Sequence, residues 1–345
     1  YWMVASSYLA YGGPLRVVRA DDDDLKNAFS GTAGSIKIKS TEHYNDLGYD
    51  GSTITGVTVA ARNPGSWANN LKVAIIDDLA DQVLQFSTLP SNIQVGFGIT
   101  QAIPPNTVVA GSGTTSLLTG YFKGIVTEVD TTLKKASVKI LESVTEAGVS
   151  TSVDYQPNGI YKFGNTVATI HNNAGVATGT GSPTGNSDWF DQQAIQLTNS
   201  TINWNNIAER PGTSSFAEAR DSRFDEVHVV VIDDTGEVTG NAGTILEKHL
   251  GLSKAKDGLY SLGSPSYWRK YLYNNSTNIF GGSAPAGIVT TSFGEGATNF
   301  TLSTDVGWDQ NAQGIKYAGI GVTTLTLSGG KNYDGGSDEE AAGAF

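Results

Sequence analysis

Four histidines are the first residues to weigh for chemistry: His43, His171, His228 and His249. None stands in HxH or HExxH spacing, so no zinc or triad motif is written locally. A triad would also need a serine nucleophile, and the chain has no GxSxG elbow. Structural or surface roles account for all four, with His228 facing a polar or interfacial spot inside an apolar run.

Acidic runs come next. Asp21 to Asp24 are four consecutive acids, but calcium loops take ligands from alternate positions around a glycine. A solvated acidic turn accounts for them. The better-spaced Asp46-x-Gly48-x-Asp50-Gly51 fails as an EF-hand, because glycine occupies the third position and Val57 the twelfth. A carboxylate pair for glycoside hydrolysis can be drawn from anywhere among 34 acids, so sequence selects none.

Two glycine motifs fail on context. Leu327-Ser328-Gly329-Gly330 has the letters of the ATP-binding-cassette signature, yet no GxxxxGK[ST] accompanies it. Gly179, Gly181 and Gly185 have the wrong spacing for a dinucleotide loop, and Pro183 interrupts them. Trp67 with Asn69 and Asn70 would suit a sugar platform, or else a packed turn tryptophan. No catalytic, cofactor-binding or metal-ligating residue is assigned.

Any site must be positioned by elements, and these are mostly strands. The 42 glycines in 345 residues exceed the average usage of about 7% and signal many turns. With 39% hydrophobic and 16% charged residues, the chain can bury a core. Val227 to Ile232 (VHVVVI) is a nearly continuous β-branched run, the mark of a strand buried on both faces. A tight turn at Asp233-Asp234-Thr235-Gly236 should follow, then extended chain through Thr244 to Lys248. Ser264-Pro265 predicts a helix start, with Tyr267, Trp268, Tyr271 and Leu272 on one apolar face.

Elsewhere, Trp2 to Tyr11 predicts a helix stopped by Gly12-Gly13-Pro14. Residues 15–19, 52–61, 71–76 and 319–327 predict strands, and 286–305 a loop or hairpin. Acids and alanines at 338–342 predict the start of a helix. From Gln82 to Gly185 the composition shifts to short Val/Thr/Ile strands, clearest at 121–129, 136–144 and 159–170, with a hairpin turn at Asp130 to Leu133. Asn172 to Ser187 has the composition of a linker. The expected fold class is therefore α+β: a mixed-sheet core from residues 1–81 and 186–345, carrying an inserted all-β module at 82–185.

Charge and composition exclude several partners. A net charge of −12 argues against sequence-independent nucleic-acid binding, which needs a basic footprint. No apolar run approaches the roughly eighteen residues of a membrane span. The absence of cysteine leaves no disulfides and fits a reducing cytoplasm.

One stretch resembles a known family. Pro211-Gly212-Thr213-Ser214, Asp225 to Asp233, Leu246-Glu247-Lys248, Leu252 to Ala255 and Tyr267-Trp268 occur in the order found in the sheath subunits of contractile-tailed bacteriophages, especially myoviruses of cyanobacteria. Tyr11 to Ala20, Pro64 to Val73 and Leu325 to Gly330 resemble flanking pieces of the same family. The resemblance implies a structural virion protein and not an enzyme. Such a subunit stacks with copies of itself around a tail tube, meets baseplate proteins, and contracts to drive the tube through the host envelope. It is assembled in the bacterial cytoplasm and needs no cofactor. The family's linking arms and tube-facing domain have no counterpart here, so the chain is expected to be the central part of a longer polypeptide and monomeric alone. A β-rich carbohydrate-binding or adhesin module is the alternative, supported by the Thr/Gly/Asn-rich strands and six tryptophans.

Overall fold

A computed structural model describes residues 2–14, 23–111, 114–285, 291–293, 302–304 and 307–333. The strands predicted at 15–19, the acids Asp21 and Asp22, and the helix predicted at 338–342 lie outside the described residues.

The apolar run becomes the strand Glu226–Asp233, and it sits where its composition demands, inside a sheet. On one side it pairs with Thr244–Ser253, on the other with Leu71–Ile76, and Val322–Thr326 completes the order beyond Leu71–Ile76. Alternate side chains then face two different cores. Val227, Val229 and Val231 pack with Val73, Ile75, Trp268, Leu272 and Trp308. Val230 and Ile232 pack with Ala74, Ile76, Trp189, Trp204 and Ile195. Burial on both faces explains why no polar residue alternates along this strand. His228 belongs to the second face by parity.

A three-stranded sheet of Phe29–Gly31, Val57–Ala61 and Ile279–Gly281 lies beside this core, sealed by Tyr44 stacked on Phe280 with ring centroids 4.3 Å apart. The architecture is α+β: four short helices accompany this core among the described residues, and a larger all-β sheet is joined to it. Among the described residues every strand ladder is antiparallel, and isolated parallel bridges join Arg223 to Lys316 and Ser253 to Tyr267.

The larger sheet follows the order 177–181, 168–171, 98–102, 121–130, 135–144, 82–86, 183–188, with Ser150–Ser152 also paired to Lys135–Val144. Its two end strands, Ala177–Gly181 and Pro183–Asp188, are separated in sequence by Ser182 alone. The sheet must therefore curl until its ends meet at that corner, as a small barrel does. Phe86, Ile99, Phe122, Val138, Ile140, Phe163 and Ile170 fill its interior. The hairpin at Asp130 forms as expected, Asp130 pairing with Lys135 while its Oδ1 accepts from the N–H groups of Thr132 and Leu133.

Several expectations are corrected. The stretch 172–187 is no linker: it holds the two closing strands. Glycine is needed there because a Cβ on Gly179 would lie 2.3 Å from the carbonyl oxygen of Ser91. The strand expected over 159–170 shrinks to Ala168–His171. Ahead of it, side-chain amides replace a ladder: Gln82 Oε1 accepts from Phe163 N, and Gln101 Oε1 from Gly164 N. The strand expected over 52–61 begins only at Val57, because Gly56 turns there with a φ of 70°.

Asp233 does not begin a tight turn but anchors a longer loop, 234–243. Its carboxylate accepts from the N–H groups of Gly236, Val238 and Thr239, which satisfies three of the loop's donors. The helix expected at Ser264-Pro265 starts at Trp268. Ser266 bonds in extended form to Gly258 and Ser253, so the backbone cannot turn helical until after it. Trp268 and Leu272 still bury one face of that helix, as the spacing predicts.

Candidate functional site: an ionic junction and its cleft

Leu71–Ile76 leaves the central sheet and runs through Asp77-Asp78-Leu79-Ala80-Asp81 directly into Gln82–Phe86 of the curled sheet. All three acids are buried. Buried carboxylates are tolerated only when paired and hydrogen-bonded, and remote segments supply each partner.

Lys254 Nζ lies 2.7 Å from Asp77 Oδ1 and also donates to the carbonyls of Phe224 and Ala318. All three ammonium hydrogens are thereby used. Asp77 Oδ2 accepts from Ile320 N at 2.9 Å. Asp78 receives Lys139 Nζ at 2.9 Å and Arg210 Nη1 at 2.8 Å. Asp81 Oδ2 accepts from Ile140 N at 2.7 Å and stands 3.9 Å from the Arg210 guanidinium. Arg210 Nη2 closes the cluster on Asp188 Oδ1 at 2.5 Å. Its guanidinium carbon lies 5.3 Å from the ring centroids of both Tyr155 and Phe190, within cation–π range.

Ion pairs thus tie four carboxylates (Asp77, Asp78, Asp81, Asp188) to three cations (Lys139, Arg210, Lys254). The surplus charge falls on Asp81. Burial, with the neighbouring Asp78 carboxylate adding to it, pushes its carboxyl up to about 7 against the pull of Lys139 and Arg210. The same burial pulls the Lys254 ammonium down despite Asp77. Tyr155 is pushed up by burial and by Asp188.

Beside the cluster opens a cleft of about 610 Å³, lined by Asp78, Asp81, Tyr155, Asp188, Phe190 and Arg210 among others. Asp78, Asp81 and Asp188 in its wall are engaged by cations. What the arrangement does is mechanical: Lys139 and Asp188 belong to the curled sheet, Lys254 follows the central sheet, and Arg210 pins the segment between the Trp204 turn and Glu226–Asp233. Pulling any one away would leave a buried charge bare.

The residues weighed from sequence fall elsewhere. His228 Nε2 lies 2.9 Å from the Glu209 carbonyl, and its Nδ1 accepts from Gly251 N, so it clamps backbone within the molecule. His249 meets Glu247 at 2.9 Å, His43 accepts from Lys39 N, and His171 contacts the Thr100 hydroxyl at 2.9 Å. The four are not brought together, and no group of three or more metal-ligating side chains occurs among the described residues. Trp67 Nε1 donates to the Asn63 carbonyl while Asn69 and Gly330 exchange hydrogen bonds, which is a packed turn. Ser328-Gly329 continues from the Val322–Thr326 strand and bonds to Phe29.

The junction itself escaped sequence reasoning. One signal was present: three acids within five residues, between two apolar strands, with too little chain to reach solvent and return. Their partners, 61 to 177 positions away by number, carry no local mark. Comparisons with family models, with curated proteins and with solved structures found no match.

Proposed function

We propose that this chain is part of a structural subunit of a contractile tail sheath, working as a rigid body in a helical array of its own copies around a tail tube, under the control of a baseplate. One observation carries the reading. Three of the segments that resemble sheath subunits are far apart in sequence, yet they are built into one packing unit. Leu71–Ile76 pairs with Glu226–Asp233 on one side and Val322–Thr326 on the other, and Asn70 N donates to the Leu327 carbonyl. A resemblance scattered over loops would carry less weight than one concentrated in a single sheet and its caps.

The ionic junction fits such a role. Contraction of a sheath exchanges lattice contacts between subunits that keep their internal shape. A subunit that moves as one body needs its parts locked together, and the Asp77–Asp78–Asp81 hub locks the curled sheet to the central one. The virion is the corresponding location.

Negative-stain electron microscopy of the full-length gene product, expressed on its own, tests the proposal. Hollow striated tubes are the expected result. Discrete particles that bind glycans on an array would overturn it in favour of an adhesin.

A further inference from the structure

A hollow of about 200 Å³, sharing no lining residue with the cleft, lies where the turn after the Thr41–Asp46 helix meets the Trp268–Asn275 helix. Its charge runs against that of the chain. Lys256, Arg269 and Lys270 line it with Asp50 as the one carboxylate, in a protein of net charge −12. Tyrosines 44, 49, 267 and 273 form most of the remaining wall.

Arg269 is the central observation. It is only 7% exposed, yet no carboxylate lies within ion-pair distance of it among the described residues. Its Nη2 donates to the carbonyls of Tyr49 and Ser52, its Nη1 stands 3.4 Å from the Tyr267 hydroxyl, and its Nε is buried with no partner. That hydroxyl donates onward to Asp309, so the Asp309 charge reaches Arg269 through a phenol. The compensation for its burial comes from carbonyls and a phenol, with no carboxylate paired to it directly.

Two further features point the same way. Lys256 and Lys270 are exposed at the mouth and have no ion-pair partner among the described residues; the Lys270 ammonium lies 4.8 Å from the Tyr273 ring. Arg269 and Lys270 also occupy the first turn of their helix, which has no acid and no side-chain cap. The helix dipole disfavours cations at that end. Cations at a helix N-terminus are a local cost that an anion in the hollow would relieve, and the two exposed lysines stand ready to meet it.

We propose that this hollow binds a small oxyanion, a phosphate or a carboxylate group. Arg269, its Nη2 already held by backbone carbonyls, supplies a fixed positive charge in the wall of the hollow, Lys256 and Lys270 close on the anion from the mouth, and the tyrosine rings pack against the body that carries it. Its volume is below the roughly 300–1,000 Å³ of drug-sized pockets, which restricts the ligand to something near a single sugar ring or a phosphate head group. The inference does not rest on the sheath reading.

The test is calorimetric titration of the whole chain with inorganic phosphate, with glucuronate and with glucose, at fixed ionic strength. It compares the wild type with K256Q/K270Q, whose exposed positions leave the fold intact. Saturable binding of phosphate or glucuronate but not glucose is expected, falling at least about tenfold in the double variant and weakening as salt rises. Which anion binds distinguishes a phosphate ligand from an acidic sugar. No saturation with either anion, equal binding of glucose, or unchanged affinity in K256Q/K270Q would overturn the proposal.

Discussion

The ammonium of Lys254 and the carboxylate of Asp77 meet at 2.7 Å with both side chains closed to solvent, 0% and 1% exposed. They come from opposite halves of the chain, and their contact holds the exit of the Leu71–Ile76 strand against the end of Thr244–Ser253. Breaking such a pair from one side is costly because the other charge stays buried.

Lys254→Met should therefore destabilise the protein by about 3–5 kcal/mol. The double variant Lys254→Met/Asp77→Asn should recover part of that loss, since it leaves no bare charge. Urea unfolding followed by circular dichroism measures both. Equal losses in the single and the double variant would show that packing, and not charge, dominates at this site.

The Asp81 carboxyl gives the fold a pH dependence of defined sign. Its ordinary value is 3.8, and in the folded chain burial raises it to about 7. The folded state then binds a proton more tightly than the unfolded one. Its contribution to stability is fully present below pH 3.8 and is lost as pH rises towards 7. Asp81→Asn keeps an oxygen to accept from Ile140 N and cannot ionise. Between pH 5 and pH 8 its stability should fall less steeply than that of the wild type. Parallel curves from pH-dependent urea denaturation would remove Asp81 as the cause.

Gly179→Ala should loosen the closing corner of the curled sheet. The added methyl would meet the backbone of Ser91, its oxygen at 2.3 Å and its nitrogen at 2.8 Å, and backbone cannot rotate away as a side chain can. A loss of about 1–3 kcal/mol is expected, in the range of overpacked sites. Amide hydrogen exchange should show it first in residues 177–188. Unchanged protection there would mean that the 90–91 loop yields freely.

Sequence by itself determined the elements whose signal is local. The run Val227 to Ile232 could only be an inner strand, because six consecutive residues without a charged side chain need burial on both faces. The hairpin around Asp130 was equally legible, since β-branched stretches flank a short polar turn and all its bonds close within the segment. The α+β class follows from such pieces.

Only tertiary structure decided the rest. Residues 177–188 have the composition of a linker and become strands because the curled sheet offers edges on both sides of Ser182, and a backbone with unpaired N–H and C=O groups takes them. The helix after Thr244–Ser253 begins at Trp268 because Ser266 is already bonded elsewhere. Asp50, written in a failed calcium loop, ends in the wall of a basic hollow that Lys270 also lines. The ionic junction is the extreme case. An aspartate in sequence looks solvated, and its burial is settled by whether a lysine or arginine from distant chain arrives to balance the charge; that balance exists only once the whole chain has folded.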